Sequence, residues 1–194
     1  MARNTQIQLV EALKRLMAKK DLDGITVQEL ITEAKVNRKT FYYHFHDMPD
    51  FLFWIYTSRL SQNVSTESIN TQNWTEHLQR LTAEIRIEKD YIRFIYASKY
   101  AQDFRQAISR MFDRAIEVYL RSAAKQWETD NNKPLVLSET CKVYLVSYHS
   151  TALLGMLEQW FRRGMRETDE ELAQLVKMLA NDSLVQAFNL MNEV

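Results

Sequence analysis

Glycine is scarce in this 194-residue chain, at three residues, and proline is scarcer still, at two. Sheets need frequent turns, and no stretch alternates apolar and polar residues for long, so the expected fold class is all-α. The single cysteine, Cys141, excludes internal disulfides and any cysteine metal cluster and suits a reducing cytosol. The start, Met1-Ala2-Arg3-Asn4-Thr5-Gln6, has no apolar signal-peptide core. Beyond the N-terminal region, the longest run free of Asp, Glu, Lys and Arg is Val143 to Leu157, which still contains Ser147, His149, Ser150 and Thr151. A membrane helix needs about 20 mostly apolar residues, so the expectation is a cytoplasmic protein with no membrane partner. Catalytic signatures are missing as well: there is no Gly-rich phosphate loop, no Gly-x-Ser-x-Gly elbow and no His-Glu-x-x-His. His44 and His46 lack a third ligand, and Cys141 and His149 lie about 80° apart around one helix. No enzyme activity, metal or cofactor is expected.

Net charge is absent too: 25 basic residues balance 25 acidic ones. Residues 1–60 hold nine Lys+Arg against seven Asp+Glu, and the remaining 134 hold 16 against 18. An asymmetry that weak does not identify a partner; a local cluster does. Residues 35–46 carry three cations, two histidines, four aromatic rings and no acid.

That cluster sits in Ile25 to Phe45, which reads as two short helices joined by a tight turn. Thr26 is the expected N-cap of the first, with Glu29 completing a capping box. Val27, Leu30, Ile31 and Ala34 recur at helical spacing and face inward. Lys35-Val36 makes the turn, Asn37 caps the second helix, and Val36, Phe41 and Phe45 are its inward positions. Arg38, Lys39, Thr40, Tyr42, Tyr43 and His44 are left to face outward or sideways. A short helix with a basic, polar first turn, braced by an apolar helix, suits a DNA major groove. Arg38 or Lys39 can read a guanine edge, a contact worth roughly 1–3 kcal/mol of discrimination. Thr26, Thr40, Tyr42 and His44 suit phosphate oxygens, which fix register.

The run Ile25-Thr26-Val27, Ala34-Lys35-Val36-Asn37, Thr40-Phe41-Tyr42-Tyr43-His44-Phe45 and Asp47-Met48-Pro49-Asp50-Phe51-Leu52 resembles the DNA-binding domain of TetR-family transcriptional regulators. The resemblance implies a helix-turn-helix domain over 1–60, with Thr40 to Phe45 on the recognition helix. It also implies a helical effector-binding and dimerisation domain over 61–194, about nine helices altogether. Two departures stand out. The family usually has glycine where Lys35 sits, so Lys35 must accept an unusual backbone conformation or reshape the turn. It often has a lysine and a glutamate where Met48 and Pro49 stand, which removes one phosphate contact and leaves the amides of that helix start to serve.

Elsewhere, periodicity predicts a first helix near 4–20 with Ile7, Val10, Leu13, Leu16 and Met17 inward. A connecting helix follows from about Asp47, with Pro49 in its first turn, then a polar hinge over 61–73. A second domain opens near Asn73, with a helix through Leu78, Leu81 and Ile85, a shorter one over 91–99, and a long one from Phe104 to Trp127. A loop covers 129–137. A helix from Ser138 to Gly164, with Gly164 as C-cap, is apolar nearly all round and must be covered on more than one side. The capping box Thr168-Asp169-Glu170-Glu171 opens the last helix. The expected homodimer seam combines these last two helices through Leu153, Gly155, Met156, Trp160, Leu179 and Phe188, as the resemblance also implies. Polar-tipped rings mark a candidate effector pocket: Tyr96, Tyr100, Tyr119, Tyr144 and Tyr148, with Cys141 on the same helical face as the last two. Gly155 to Met165 resembles the C-terminal domain of a TetR subgroup that includes regulators of dihydroxyacetone kinase genes. In that subgroup the domain can answer a protein coregulator instead of a small molecule. The expected function is therefore a DNA-binding transcriptional regulator, a repressor by resemblance, holding a palindromic double-stranded operator as a homodimer.

Overall fold

The computed structural model describes residues 2–63 and 69–192. Among them it contains nine α-helices, one short 3-10 turn and no strand. The helices are α1 (Ala2–Met17), α2 (Val27–Ala34), α3 (Arg38–His44), α4 (Met48–Asn63), α5 (Trp74–Ile87), α6 (Lys89–Tyr96), α7 (Ala101–Asn131), α8 (Glu139–Arg162) and α9 (Asp169–Asn192). The chain forms two compact units: Met1–Arg59 with Glu88–Ala107, and Leu60–Ile87 with Ile108–Val194. A cut at 60 divides the chain in sequence order; compactness instead groups α6 and the start of α7 with the N-terminal helices.

In the first unit α1 packs along α2, and α2 meets α3. Leu9, Leu13, Leu30, Phe41 and Phe51 are fully enclosed. Of the inward positions expected on α1, Leu13 and Leu16 are buried and Ile7 is 55% exposed, while Leu9 and Ala12 are buried in addition. Under α3 the rings of Phe41, Phe45 and Phe51 meet at centroid separations of 4.9 to 6.0 Å, and Trp54 stands 5.2 Å from Phe45. Aromatic pairs at this spacing fix orientation as well as burying area. Two further contacts tie in the later segment. The Tyr91 hydroxyl donates to the Leu52 carbonyl at 2.8 Å, and Lys99 donates its backbone N–H to the Asp23 carboxylate and its ammonium to the Asp23 carbonyl.

In the second unit α5 packs along α9, burying Leu78, Leu81, Ile85, Leu172, Ala173 and Val176. Farther along, Leu120, Ala123 and Trp127 of α7 form a cluster with Leu184 and Phe188 of α9. The Trp127 indole donates to Asn189 at 2.8 Å. Arg86 closes the other end. Its guanidinium donates to the Met165 and Glu167 carbonyls, pairs with Asp169 at 2.9 Å and lies 4.9 Å from the centre of the Trp160 ring.

The helix ends follow their local sequence. Gly164 takes φ +82° after α8, and the Met165 N–H reaches back to the Trp160 carbonyl at 2.9 Å, a Schellman closure. Thr168 and Glu171 cap α9 reciprocally. Where helices run longer than expected, no breaker residue intervenes: α4 continues to Asn63 into the expected hinge, and α7 spans 101–131. The expected 91–99 helix is instead Lys89–Tyr96. Hinge residues 64–68 lie outside the described residues.

Candidate nucleic-acid interface

The α2–turn–α3 geometry is built by side-chain caps. The Thr26 hydroxyl accepts the Glu29 N–H at 3.2 Å and donates to the Glu29 carboxylate, which also accepts the Thr26 N–H at 3.0 Å. Lys35 then adopts φ 56°, ψ 38°, the left-handed conformation usually given to glycine. The turn is not reshaped around it: the Val36 N–H still reaches the Ile31 carbonyl at 2.9 Å. Asn37 opens α3, its side-chain oxygen accepting the Thr40 N–H at 2.8 Å and the Thr40 hydroxyl at 2.9 Å.

With Phe41 and Phe45 pinned inside, α3 turns its other residues outward. Arg38 and Tyr42 stand one helical turn apart on one ridge, Lys39 and Tyr43 on the next. The Arg38 guanidinium lies 5.5 Å from the centre of the Tyr42 ring. Tyr42 is 45% and Tyr43 83% exposed, an uncommon way to display two rings. His44 is half-buried, its ring edge-on to Tyr43 at 5.0 Å. Among the described residues, neither Arg38 nor Lys39 has a carboxylate partner.

The acids of α2 are silenced by α1 and the turn that follows it. Lys20 sits 2.6 Å from Glu29 and, with the Thr26 donors, holds that carboxyl at about 2. Arg15 sits 2.6 Å from Glu33 and lowers its pKa in the same way. The cations of α3 therefore face outward without competing acids close by.

Not every expected contact is free. The hydroxyl protons of Thr26 and Thr40 are already donated within the caps. At the α4 start, Asp47 accepts the Asp50 N–H and Asp50 accepts the His46 N–H, both at 2.9 Å. Met48 is buried and Pro49 has no N–H. At that helix start the His46 and Asp50 amides are taken internally and Pro49 has none, so fewer N–H groups are left for phosphate than expected.

A cavity of about 360 Å³ lies among α5, α7, α8 and α9. Of the expected pocket residues, Tyr119 and Tyr148 line it. Tyr96 and Tyr100 belong to the first unit, where Tyr96 packs edge-on to Phe104 and Tyr100 lies beneath the Lys99 ammonium. Cys141 and Tyr144 share the helical face expected of them but do not line the cavity, and Tyr144 projects outward. Trp74, His77 and His149 complete the polar-tipped lining; only His149 stood out in sequence, as a ring on the apolar stretch of α8.

Of the expected seam residues, Leu153 and Met156 are half-buried and line the cavity, while Gly155 and Leu179 are exposed. Trp160 and Phe188 are buried inside the protomer, engaged by Arg86 and by the α7–α9 cluster respectively, which leaves them nothing to present to a second copy. Among the described residues no helix is long and apolar enough to cross a membrane.

A helix-turn-helix with an exposed basic and aromatic second helix, attached to a larger helical unit, defines the class of helix-turn-helix transcription regulators. The family is set by two matches. A family model for bacterial regulatory proteins of the tetR family covers residues 9–53, and one for a transcriptional regulator C-terminal region covers residues 72–182. The chain belongs to the TetR family, and is a transcription regulator and not an enzyme. It is similar to the HTH-type dhaKLM operon transcriptional activator DhaS of Lactococcus lactis subsp. lactis (strain IL1403), with 23% identity over 177 residues, 90% of this chain and 88% of that protein. The solved structure of a dihydroxyacetone kinase operon activator DhaS matches 96% of this chain and 97% of its own, with a TM-score of 0.56 and 18% identity. At that identity the likeness establishes the fold.

Proposed function

We propose that the protein works as a homodimer whose two α3 helices enter successive major grooves of a palindromic operator, about 34–36 Å apart for one-turn spacing. The observation that carries this reading is the α3 surface: Arg38, Lys39, Tyr42 and Tyr43 exposed together over a rigid Phe41–Phe45–Phe51 core. Arg38 or Lys39 reads a base edge. Tyr42, Tyr43 and His44 supply phosphate contacts, since Thr26, Asn37 and Thr40 are occupied in holding the helix starts. With no net charge and few phosphate contacts per subunit, affinity depends on pairing and falls steeply with salt.

Pairing is supported by an apolar surface on the C-terminal helices. Val143, Tyr144 and Tyr148 of α8 and Leu175, Met178, Leu179 and Val185 of α9 are exposed, a density of apolar side chains that marks an interaction face. The cavity, partly open to solvent, favours a small-molecule effector over a docked protein coregulator as the signal. An effector that prefers a form with separated or tilted reading heads weakens operator binding, and driving a 1:99 equilibrium to 99:1 takes about 5.5 kcal/mol of differential affinity. Repression, which the family resemblance implies, results where the operator overlaps the promoter. The DhaS proteins are named activators, so a reporter fusion with the gene present and deleted reads the sign directly.

The test of the reading surface is a gel shift on the DNA upstream of the gene. Arg38→Ala relaxes base choice by roughly 1–3 kcal/mol at one position of each half-site, whereas Tyr42→Phe weakens all sites alike. Wild-type binding by both variants would remove α3 as the reading surface.

A further inference from the structure

The cavity in the second unit has a composition that defines what it can hold. At about 360 Å³ it lies within the usual range of ligand pockets. An apolar hole of about 150 Å³ takes one benzene ring, so this one has room for about two. Its wall is hydrocarbon and aromatic, and among the described residues no Lys, Arg, Asp or Glu lines it. An anionic or cationic guest would enter without a counter-charge.

Five polar-tipped side chains reach the wall from three helices: Trp74 and His77 from α5, Tyr119 from α7, and Tyr148 and His149 from α8. His149 is 8% exposed and packs edge-on against the Tyr148 ring; among the described residues neither of its ring nitrogens has a hydrogen-bond partner. The Nδ1 of His77 is enclosed and has no hydrogen-bond partner among the described residues. Burial lowers the pKa of both imidazoles and raises that of the Tyr119 phenol, so all three are neutral near pH 7. A neutral imidazole keeps one acceptor nitrogen. Buried polar groups in native proteins are rarely left unpaired, and one facing a cavity points to a partner that enters it.

We propose that the cavity binds an uncharged, largely apolar molecule of about two rings in size that donates a hydrogen bond to His149. This assignment rests on the reading of the C-terminal domain as an effector domain, but its test uses no DNA.

Full-length protein is titrated with β-naphthol, naphthalene, β-naphthoate and glycerol. The readout is quenching of tryptophan emission, to which the lining Trp74 contributes, and calorimetry gives stoichiometry. One β-naphthol per chain is expected. Naphthalene, lacking the donor, binds about 3–10-fold more weakly, β-naphthoate is at least about tenfold weaker, and glycerol does not compete. His149→Phe brings β-naphthol and naphthalene to equal affinity, while His149→Gln, which restores an acceptor, keeps the preference; circular dichroism confirms that each variant is folded. The selectivity series on the wild type stands without either variant. The proposal is overturned if naphthoate matches naphthol, if the naphthol preference survives His149→Phe, or if neither ring compound binds. A protein that binds β-naphthol through His149 but no operator keeps this site and loses the regulatory reading; operator binding without ring binding does the reverse.

Discussion

Replacing Lys35 by glycine separates the backbone requirement of the helix-turn-helix from its electrostatics. Lys35 sits at φ 56°, ψ 38°, with its N–H shared between the Ile31 and Thr32 carbonyls. An L side chain in this region costs roughly 1–2 kcal/mol. Glycine removes that strain but loses about 0.5–1 kcal/mol more backbone entropy on folding. The difference leaves Lys35→Gly about 0.5–1 kcal/mol more stable than the wild type. For a chain of this size that corresponds to a rise in Tm of about 1–4 °C. Lys35→Asn should recover part of the gain, since asparagine tolerates the left-handed region. Lys35→Ala keeps the strain and should fall within about 0.5 kcal/mol of wild type. Urea unfolding followed by circular dichroism reads these differences. All three variants lose a cation beside α3. If that cation meets a phosphate, each lowers the slope of log K against log salt by about one per subunit in operator titrations. A glycine variant no more stable than wild type would refute the strain argument, whatever happens to DNA binding.

Glu29, held at about 2 instead of its ordinary 4.5, stabilises the α2 start fully above pH 4.5, and that contribution disappears as pH falls toward 2. Glu29→Gln should therefore show a flatter loss of stability across that window in acid titrations followed by circular dichroism. Arg86→Ala should cost about 2 kcal/mol, because several charge-assisted hydrogen bonds to the α8–α9 turn are lost from a side chain still one-third exposed; a loss below about 0.5 kcal/mol in urea unfolding would contradict this. Gly155→Leu meets no atom within 4 Å of the added Cβ inside the protomer, so it should leave the fold intact and shift the sedimentation profile toward monomer. An unchanged dimer would place the seam elsewhere.

What was legible in the sequence was what depends on neighbours in the chain. Thr26 with Glu29, Asn37 with Thr40, Thr168 with Glu171 and the glycine after α8 all act within a few residues of themselves, so their roles could be read before any packing was known. The left-handed backbone at Lys35 was one of two outcomes implied by the family resemblance, the other being a reshaped turn. The inward face of α1 was legible in part: Leu13 and Leu16 are buried as expected, but Ile7 and Leu9 are both apolar and only packing decides between them. The cavity was least legible, because its wall is assembled from four helices separated by long stretches of chain. Helical spacing brings Tyr144 and Tyr148 to one face of α8, but whether that face meets α5 or solvent is a tertiary outcome. Tyr96 and Tyr100 matched in residue type and failed in location, since α6 joins the other unit. Trp160 and Phe188 fitted an apolar seam, but the guanidinium of Arg86 and the α7–α9 cluster took them first.

The bonds from Tyr91 to Leu52 and from Lys99 to Asp23 bear on how this regulator can be rewired. A hybrid that transplants only the first 60 residues onto a foreign sensor leaves the Leu52 carbonyl and the Asp23 side chain without those donors and takes Phe104 from the Tyr56 ring. The portable cassette is discontinuous: residues 88–107 have to travel with the groove-reading module, and the graft junctions belong at 59/60, 87/88 and 107/108.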